Sequence, residues 1–229
     1  MEQRMETVHK NSLTLQLEEA VENHTVLKSD WLLEKSENLS LKSLHLWLSQ
    51  EYFVSVDFVN WFLITASLTD NQEAKTILVE NIWEELGEGN TKNSHVSILI
   101  QFLQETGFNF ENHILFQETK IYLDTMRKII ARGFLFGLGA LGPANEYLLK
   151  LEYGKMYQAY RKLASEKTLP RAHFFEVNLH ADESHSAKMF RLIENSVKTD
   201  ADFSQVMEGN LSALEARKLF YEGLKRKEG

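Results

Sequence analysis

Cysteine is absent from the 229-residue sequence. This absence excludes disulfide scaffolds, thiolate metal sites and a thiol nucleophile. Any metal ligands must therefore come from the 8 histidines and the 33 acidic residues. The 2 prolines and 11 glycines are fewer than a β-sandwich or β-barrel normally uses at its turns, which favours helices. A content of 43% hydrophobic residues indicates a globular chain and not a disordered one.

An excess of positive charge is also lacking. The formal net charge of -8 argues against a general nucleic-acid binder. No apolar run approaches the ~20 residues that a membrane-spanning helix needs. The polar segment 1–12 has no apolar signal core, so we expect a disordered N-terminus and a cytoplasmic protein that binds neither nucleic acid nor membrane.

Apolar residues recur at three- and four-residue intervals along most of the chain, which predicts amphipathic helices. The segment that begins at Ser40 is apolar around much of its girth and is expected to lie centrally. Asp70 is the expected N-cap of the next helix. Glycines 133, 137, 139 and 142 lower helix propensity, but they suit a backbone that another helix or a ligand approaches closely. No linker or repeat divides the chain, so we predict a single all-α domain, residues 1–229, of about seven helices.

The helix after Pro170 carries a polar face. Asn178, Asp182 and His185 stand at i, i+4 and i+7 and so share one side of the helix, near aromatic residues. A carboxylate and an imidazole in an apolar setting suit iron, manganese or zinc. A solvated face at the end of a helix explains the same pattern.

Two other segments supply acidic and imidazole side chains. Glu85 closes one helix and His95 lies in the first turn of the next, and the glycine-containing turn between them lets both point into one space. An exposed acidic helix end is the alternative for Glu85. Glu146 follows an apolar, glycine-rich stretch and is expected to be buried. Glu and His side chains projecting inward from several helices are the general plan of a carboxylate-bridged two-metal site.

These residues resemble the haem-oxygenase-like di-metal oxidases, which are related in fold to TenA and PqqC proteins and to the chlamydial death-domain-associating protein. The resemblance rests on Asn81-x-x-x-Glu85-x-Gly87-x-Gly89, His95, the glycine-rich helix with Glu146, and Asp182-x-x-His185. It covers roughly residues 40 to 195. It implies a haem-oxygenase-like helical bundle and a non-haem di-iron enzyme.

The resemblance places the metal ligands on particular residues. Asn178 stands where the family has a sixth ligand, a histidine, and an amide oxygen is a poorer iron ligand than imidazole. His180 and His173 are the possible substitutes for Asn178, and Glu88 is the alternative to Glu85. The implied ligands are Glu85, His95, Glu146 as the bridging and catalytic carboxylate, Asp182 and His185. The expected substrate-contacting residues are Tyr52, Trp83, Tyr147 and Phe175.

The resemblance also implies an activity. Two iron ions per chain would activate O2 to oxidise a small amino-acid-like, amine or fatty-acid substrate in a biosynthetic pathway. The outcomes known in the family are N-oxygenation, oxidative C–C cleavage, decarboxylation and nitrile or alkene formation. A homodimer is a further expectation. The alternatives are a metal-free oxidase like PqqC and a non-enzymatic helical interaction module.

Related activities fit the sequence less well. The thiaminase-type relatives use a cysteine nucleophile, which this chain lacks. A haem oxygenase needs a proximal histidine near the N-terminus, and His24 is the candidate. The self-sacrificing aminobenzoate synthase activity of the chlamydial protein depends on tyrosines, whose positions are taken here by Trp31, Asn145 and Phe174.

Overall fold

The computed structural model describes the backbone of residues 2–228 and the side chains of residues 13–111, 113–181 and 184–228. Over this backbone the chain forms nine α-helices and short 3-10 turns, with no β-strand. The all-α prediction is confirmed, although the helices number nine and not about seven. The helices are α1 Glu2–Asn23, α2 Asp30–Glu37, α3 Leu41–Ser67, α4 Gln72–Glu85, α5 His95–Glu105, α6 Gln117–Ile130, α7 Phe134–Leu141 continued by Gly142–Tyr147 and Leu148–Glu166, α8 His173–Ser196 and α9 Asp200–Glu228.

The side chains of residues 1–12, for which we expect disorder, lie outside the described residues. Among the described residues, no helix combines the length and the apolar composition that crossing a membrane would require.

Helix α3 lies at the centre of the molecule, as its apolar girth predicts. Its N-terminus is capped by the Ser40 hydroxyl, which accepts a hydrogen bond from the Ser43 backbone amide at 3.0 Å. It packs against α4, α5, α6, α7 and α9. Trp47 and Trp61 are fully buried along it, so α3 is the element around which the core assembles.

The predicted N-cap of α4 is wrong by one residue. The cap is Asn71, whose side-chain oxygen accepts a hydrogen bond from the Ala74 amide at 3.1 Å, and not Asp70. Asn and Asp cap helices equally well. Two such residues in succession therefore leave the sequence without a signal that selects between them.

The glycines of α7 serve a close helix crossing. A Cβ atom on Gly139 would overlap the carbonyl oxygen of Val206 on α9, and a Cβ atom on Gly209 would overlap that of Phe136. Each helix thus presents a glycine to the backbone of the other. Only a residue without a side chain fits at either position.

Gly139→Ala is therefore expected to lower the free energy of unfolding by about 1–3 kcal/mol, because the added methyl group forces the two backbones apart. Gly154→Ala on the same helix is the control, since a Cβ there meets no described atom within 4 Å. That variant should be as stable as the wild type or gain up to about 1 kcal/mol in helix propensity. Urea denaturation of both variants measures the difference, and equal stabilities would contradict the close crossing.

A buried charge network ties together three helices. Arg217 on α9 is fully buried and contacts Glu51 of α3 at 2.5 Å and Glu152 of α7 at 2.7 Å. The Trp47 indole donates a further hydrogen bond to Glu51 at 2.7 Å. Burial raises the pKa of Glu152, against the opposing effect of Arg217.

Candidate metal centre

The turn between α4 and α5 brings Glu85 next to His95. Three consecutive residues, Gly87, Glu88 and Gly89, have positive φ angles of 83°, 53° and 86° and reverse the chain tightly. A side chain on Gly87 would overlap the backbone that starts the next helix, so glycine is required there. As a result the Nδ1 atom of His95 lies 2.9 Å from a carboxylate oxygen of Glu85. Both side chains are nearly buried.

Glu146 reaches the site from a π-helical segment of α7, Gly142–Tyr147. Pro143 has no N–H to donate within a regular helix, and a π segment accommodates such a break. The Glu146 side chain is 1% exposed. The apolar neighbours of Glu146 in the sequence predict that it is buried, and the structure confirms this.

His185 of α8 completes the cluster. Its side chain is fully buried, and its Nδ1 atom lies 3.6 Å from Glu146 Oε2 and 3.9 Å from Glu85 Oε1. Side chains from α4, α5, α7 and α8 therefore lie next to one another. We call Glu85, His95, Glu146 and His185 the buried cluster.

Carboxylates and imidazoles inside the buried cluster shift one another's pKa. Burial raises the pKa of Glu146. Burial alone would lower the pKa of His185, but the carboxylates of Glu146, Glu85 and Glu84 outweigh it and raise that pKa to about 10. In the same way Glu85 overcomes the effect of burial and raises the pKa of His95. The carboxylates therefore favour the protonated, positively charged forms of both imidazoles.

Several polar atoms of the buried cluster lack partners. Among the described residues, neither carboxylate oxygen of Glu146 has a hydrogen-bond partner, and nor does Nδ1 of His185. Burying such groups unpaired is costly. Two carboxylates and two imidazoles form a donor set that suits iron, manganese or zinc, so the residues fit a metal ion chemically.

The side chains are not, however, already gathered around a single point. Within residues 13–111, 113–181 and 184–228, no three His, Asp or Glu side chains are arranged to hold a metal ion as they stand. Asp182, the fifth ligand that we predict, has its side chain outside the described residues. It lies on α8 one turn before His185.

Asn178 takes part in the site's surroundings but not in the buried cluster. Its amide donates a hydrogen bond to the Phe174 carbonyl of its own helix at 2.7 Å. It also lines a small inner cavity of about 20 Å³ next to Glu85 and His95. Such a volume holds about one water molecule.

The two histidines considered as substitutes for Asn178 lie elsewhere. His173 and His180 are exposed, and helix α8 runs without distortion through this region. Both line an outer cavity of about 640 Å³, which has His95 on its wall as well. The outer cavity therefore connects the buried cluster with solvent. It is lined by Glu84, Gly87, Glu88, Asn93, His95, Ile98, His173, Val177, His180, Ala181 and Ser184.

The four aromatic residues predicted to contact substrate lie on the walls of neither cavity. Tyr52 packs against Phe53 and His113. Trp83 is 55% exposed on the protein surface. The Tyr147 hydroxyl donates a hydrogen bond to Glu22 of α1 at 2.5 Å.

Phe175, the fourth of these residues, is fully buried. Its ring packs against Trp47 and Tyr160. The structure thus shows Phe175 in an aromatic core. A substrate role for any of the four residues stays a prediction.

His24 has both ring nitrogens engaged. Its Nδ1 atom accepts a hydrogen bond from the Val26 amide at 3.2 Å, and its Nε2 atom lies 3.1 Å from Glu215. The histidine caps a short 3-10 turn. These contacts give His24 a structural role at the start of the turn.

Two residues beside the buried cluster, Glu84 and Lys188, are not among the predicted site residues. Glu84 contacts Nε2 of His185 at 2.7 Å, and Lys188 contacts Glu84 at 3.0 Å. Lys188 and His185 overcome the effect of burial and lower the pKa of Glu84. The three-residue spacing of His185 and Lys188 places both on one face of α8. This spacing is the sequence signal that indicates a position for Lys188 beside the buried cluster.

Solved structures of other proteins share the fold of this chain. The chain resembles a CADD-like protein of unknown function from Nostoc punctiforme PCC 73102, with 20% identity, a TM-score of 0.77, and coverage of 96% of this chain and 98% of that one. A TenA homologue from P. horikoshii OT3 has 14% identity and a TM-score of 0.64, with coverage of 96% and 98%. These likenesses show the haem-oxygenase-like fold. No curated protein has significant sequence similarity to the chain.

A family model provides the assignment. The model for iron-containing redox enzymes matches residues 45–218, a range that holds every residue of the buried cluster. The match extends over most of the chain, from early in α3 to late in α9. The protein therefore belongs to the family of iron-containing redox enzymes.

Proposed function

We propose that the protein is a non-haem di-iron oxidase or oxygenase that uses O2 to oxidise a small organic substrate. The observation that carries this proposal is the Glu146 carboxylate, which is buried and has no hydrogen-bond partner in the described part of the chain. The Nδ1 atom of His185 also lacks a hydrogen-bond partner among the described residues, and it lies 3.6 Å from Glu146 Oε2. A bound cation would satisfy both groups at once.

The proposed ligands divide into two sets that share Glu146. Glu85 and His95 would hold one iron ion, Asp182 and His185 would hold the other, and Glu146 would bridge the two. Bound iron would supply the redox chemistry and the activation of O2, while the protein supplies orientation and a dry site. The nearly complete burial of Glu146 and His185 keeps bulk water away from the cluster.

The outer cavity offers a place for the substrate. Its volume of about 640 Å³ lies in the range of small-molecule pockets, and His95 on its wall brings a substrate against the buried cluster. Glu88 and Asn93 give one part of the wall a polar character. Ile98 and Val177 make another part apolar. A small amphipathic molecule such as an amine, an amino acid or a short fatty acid suits this cavity, because its polar and apolar parts match the polar and apolar parts of the wall.

A metal-free oxidase is the second candidate. The contacts His95–Glu85 and His185–Glu84 partly satisfy the imidazoles without a metal ion. Such pairs could move protons to and from a substrate directly.

Oxygen consumption separates the candidates. Metal-stripped and Fe(II)-loaded protein would be mixed with O2 in the presence of amines, amino acids and fatty acids. The di-iron proposal expects O2 uptake only by the iron-loaded protein, and loss of that uptake in Glu146→Gln. Equal uptake by both forms would favour the metal-free oxidase. No uptake by either form with any of these substrates would favour a non-enzymatic module.

Asn178→His is expected to strengthen the weaker iron site. An imidazole in place of the amide restores the ligand type that iron prefers, and we expect the affinity for the second iron ion to rise by about tenfold or more. Anaerobic Fe(II) titration measures the change. His180→Asn is the control and should leave the iron content unchanged, because His180 is exposed in the outer cavity. Iron loss in His180→Asn would identify His180 as the ligand instead.

A further inference from the structure

We infer that Glu84 is a positioning residue that holds His185 with its Nδ1 atom directed at the metal. This inference rests on the proposed function, since it assigns a role to a side chain that touches a proposed ligand. Glu84 thereby has a role different from that of its neighbour Glu85, which is a proposed ligand.

The two ring nitrogens of His185 face different surroundings. Nε2 lies 2.7 Å from Glu84 Oε2, a hydrogen-bond distance. Nδ1 faces Glu146 and Glu85 at 3.6 and 3.9 Å, too far for a strong hydrogen bond. The nitrogen left for a metal ion is therefore Nδ1. The other nitrogen is held by Glu84.

Glu84 is itself fixed from the opposite side. Its second oxygen, Oε1, accepts a hydrogen bond from the Lys188 ammonium at 3.0 Å. With one oxygen on His185 and the other on Lys188, both oxygens of the carboxylate are engaged in the link between α4 and α8. Glu84 thus has a binding pattern unlike that of Glu146, whose oxygens have no described partner.

This arrangement has a chemical consequence for His185. A histidine that ligates a metal usually donates its remaining ring N–H to a carboxylate, which fixes the tautomer and makes the ligating nitrogen more basic. Glu84 supplies that carboxylate at Nε2. Loss of such a partner typically lowers metal affinity by about 10- to 100-fold.

The test compares Glu84→Ala and Glu84→Gln with the wild type. Iron affinity is measured by anaerobic competition titration with a chelator. We expect an affinity loss of about 10- to 100-fold in Glu84→Ala and a smaller loss in Glu84→Gln, whose amide oxygen still accepts the hydrogen bond. Glu80→Gln is the matched control. Glu80 lies one turn earlier on α4 and also approaches Lys188, at 3.7 Å, so this variant should bind iron as the wild type does.

A spectroscopic readout distinguishes positioning from a general loss of structure. In the Co(II)-loaded protein, proton NMR reports the exchangeable ring N–H of each ligating histidine, shifted by the paramagnetic ion. We expect a His185 Nε2–H resonance that moves in Glu84→Gln and exchanges rapidly with water in Glu84→Ala. The His95 resonance should stay in place in both variants.

The outcomes separate the inference from the proposed function. Wild-type iron affinity in Glu84→Ala, or a spectrum that shows ligation of His185 through Nε2, would overturn the role of Glu84 and leave the di-iron proposal standing. Failure of the wild-type protein to bind iron and cobalt would overturn both.

Discussion

Glu146→Gln is expected to weaken the binding of both iron ions by at least about 100-fold, more than the loss of a residue that only supports a ligand. Glutamine has nearly the shape of glutamate but no negative charge. Because Glu146 would bridge the two ions, its replacement affects both sites together. Iron retained after anaerobic loading and desalting measures the loss.

The same substitution should change the stability of the metal-free protein by no more than about 1 kcal/mol, because two effects oppose each other. In that form Glu146 is a buried carboxylate with a raised pKa and with no hydrogen-bond partner among the side chains that the structure describes. Removing this charge relieves a desolvation penalty, while His185 loses one carboxylate partner and keeps Glu84 at 2.7 Å. We therefore expect metal binding and stability to separate in this variant, which an ordinary core residue would not show.

Glu152→Gln is the matched control. Glu152 lies on the same helix and is also fully buried, but it contacts Arg217 and not the buried cluster. This variant should retain the iron content of the wild type. Equal iron retention in both variants would show that Glu146 is not a metal ligand.

Arg217→Met is expected to have the largest effect on stability. It should lower the free energy of unfolding by about 3–5 kcal/mol, because it leaves Glu51 and Glu152 buried without their counter-ion. Methionine keeps much of the volume of the arginine stem, so lost charge and not lost packing dominates the effect. For a chain of this length we expect a fall in Tm of about 6–20 °C.

Two comparisons make the role of Arg217 specific. Arg132→Met removes an exposed ion pair with Glu208 and should change stability by at most about 1 kcal/mol. Adding Glu51→Gln and Glu152→Gln to Arg217→Met removes the charges left alone and should recover a large part of the loss. An Arg217→Met protein within about 1 kcal/mol of the wild type would mean that water or protonation compensates the two carboxylates.

Sequence patterns predicted the helices well because each buries one apolar stripe. The exception is α2, Asp30–Glu37, which spans too few turns for a periodicity to stand out. The central position of α3 and the close approach at the α7 glycines also followed from local features. Both depend on the residues of one segment of chain, so they can be predicted without knowledge of the tertiary structure.

The meeting of Glu85 with His95 was predictable for a similar reason, since one short turn joins them. The role of Glu84 was not, because it depends on which helix lies opposite. Adjacent residues on a helix point about 100° apart, and only the packing of α8 against α4 shows that Glu84 meets His185. Arg217 is a comparable case. One arginine on a long polar helix gives no sign that two buried glutamates face it.

An anaerobic Fe(II) titration of the metal-free protein, with iron counted after desalting, tests the proposed iron centre most directly. The wild type and Glu146→Gln are titrated side by side. We predict two iron ions per wild-type chain, the second released more readily because Asn178 replaces an imidazole, and neither retained by the variant. A wild-type chain that retains no iron, or a variant that retains as much as the wild type, would contradict this prediction.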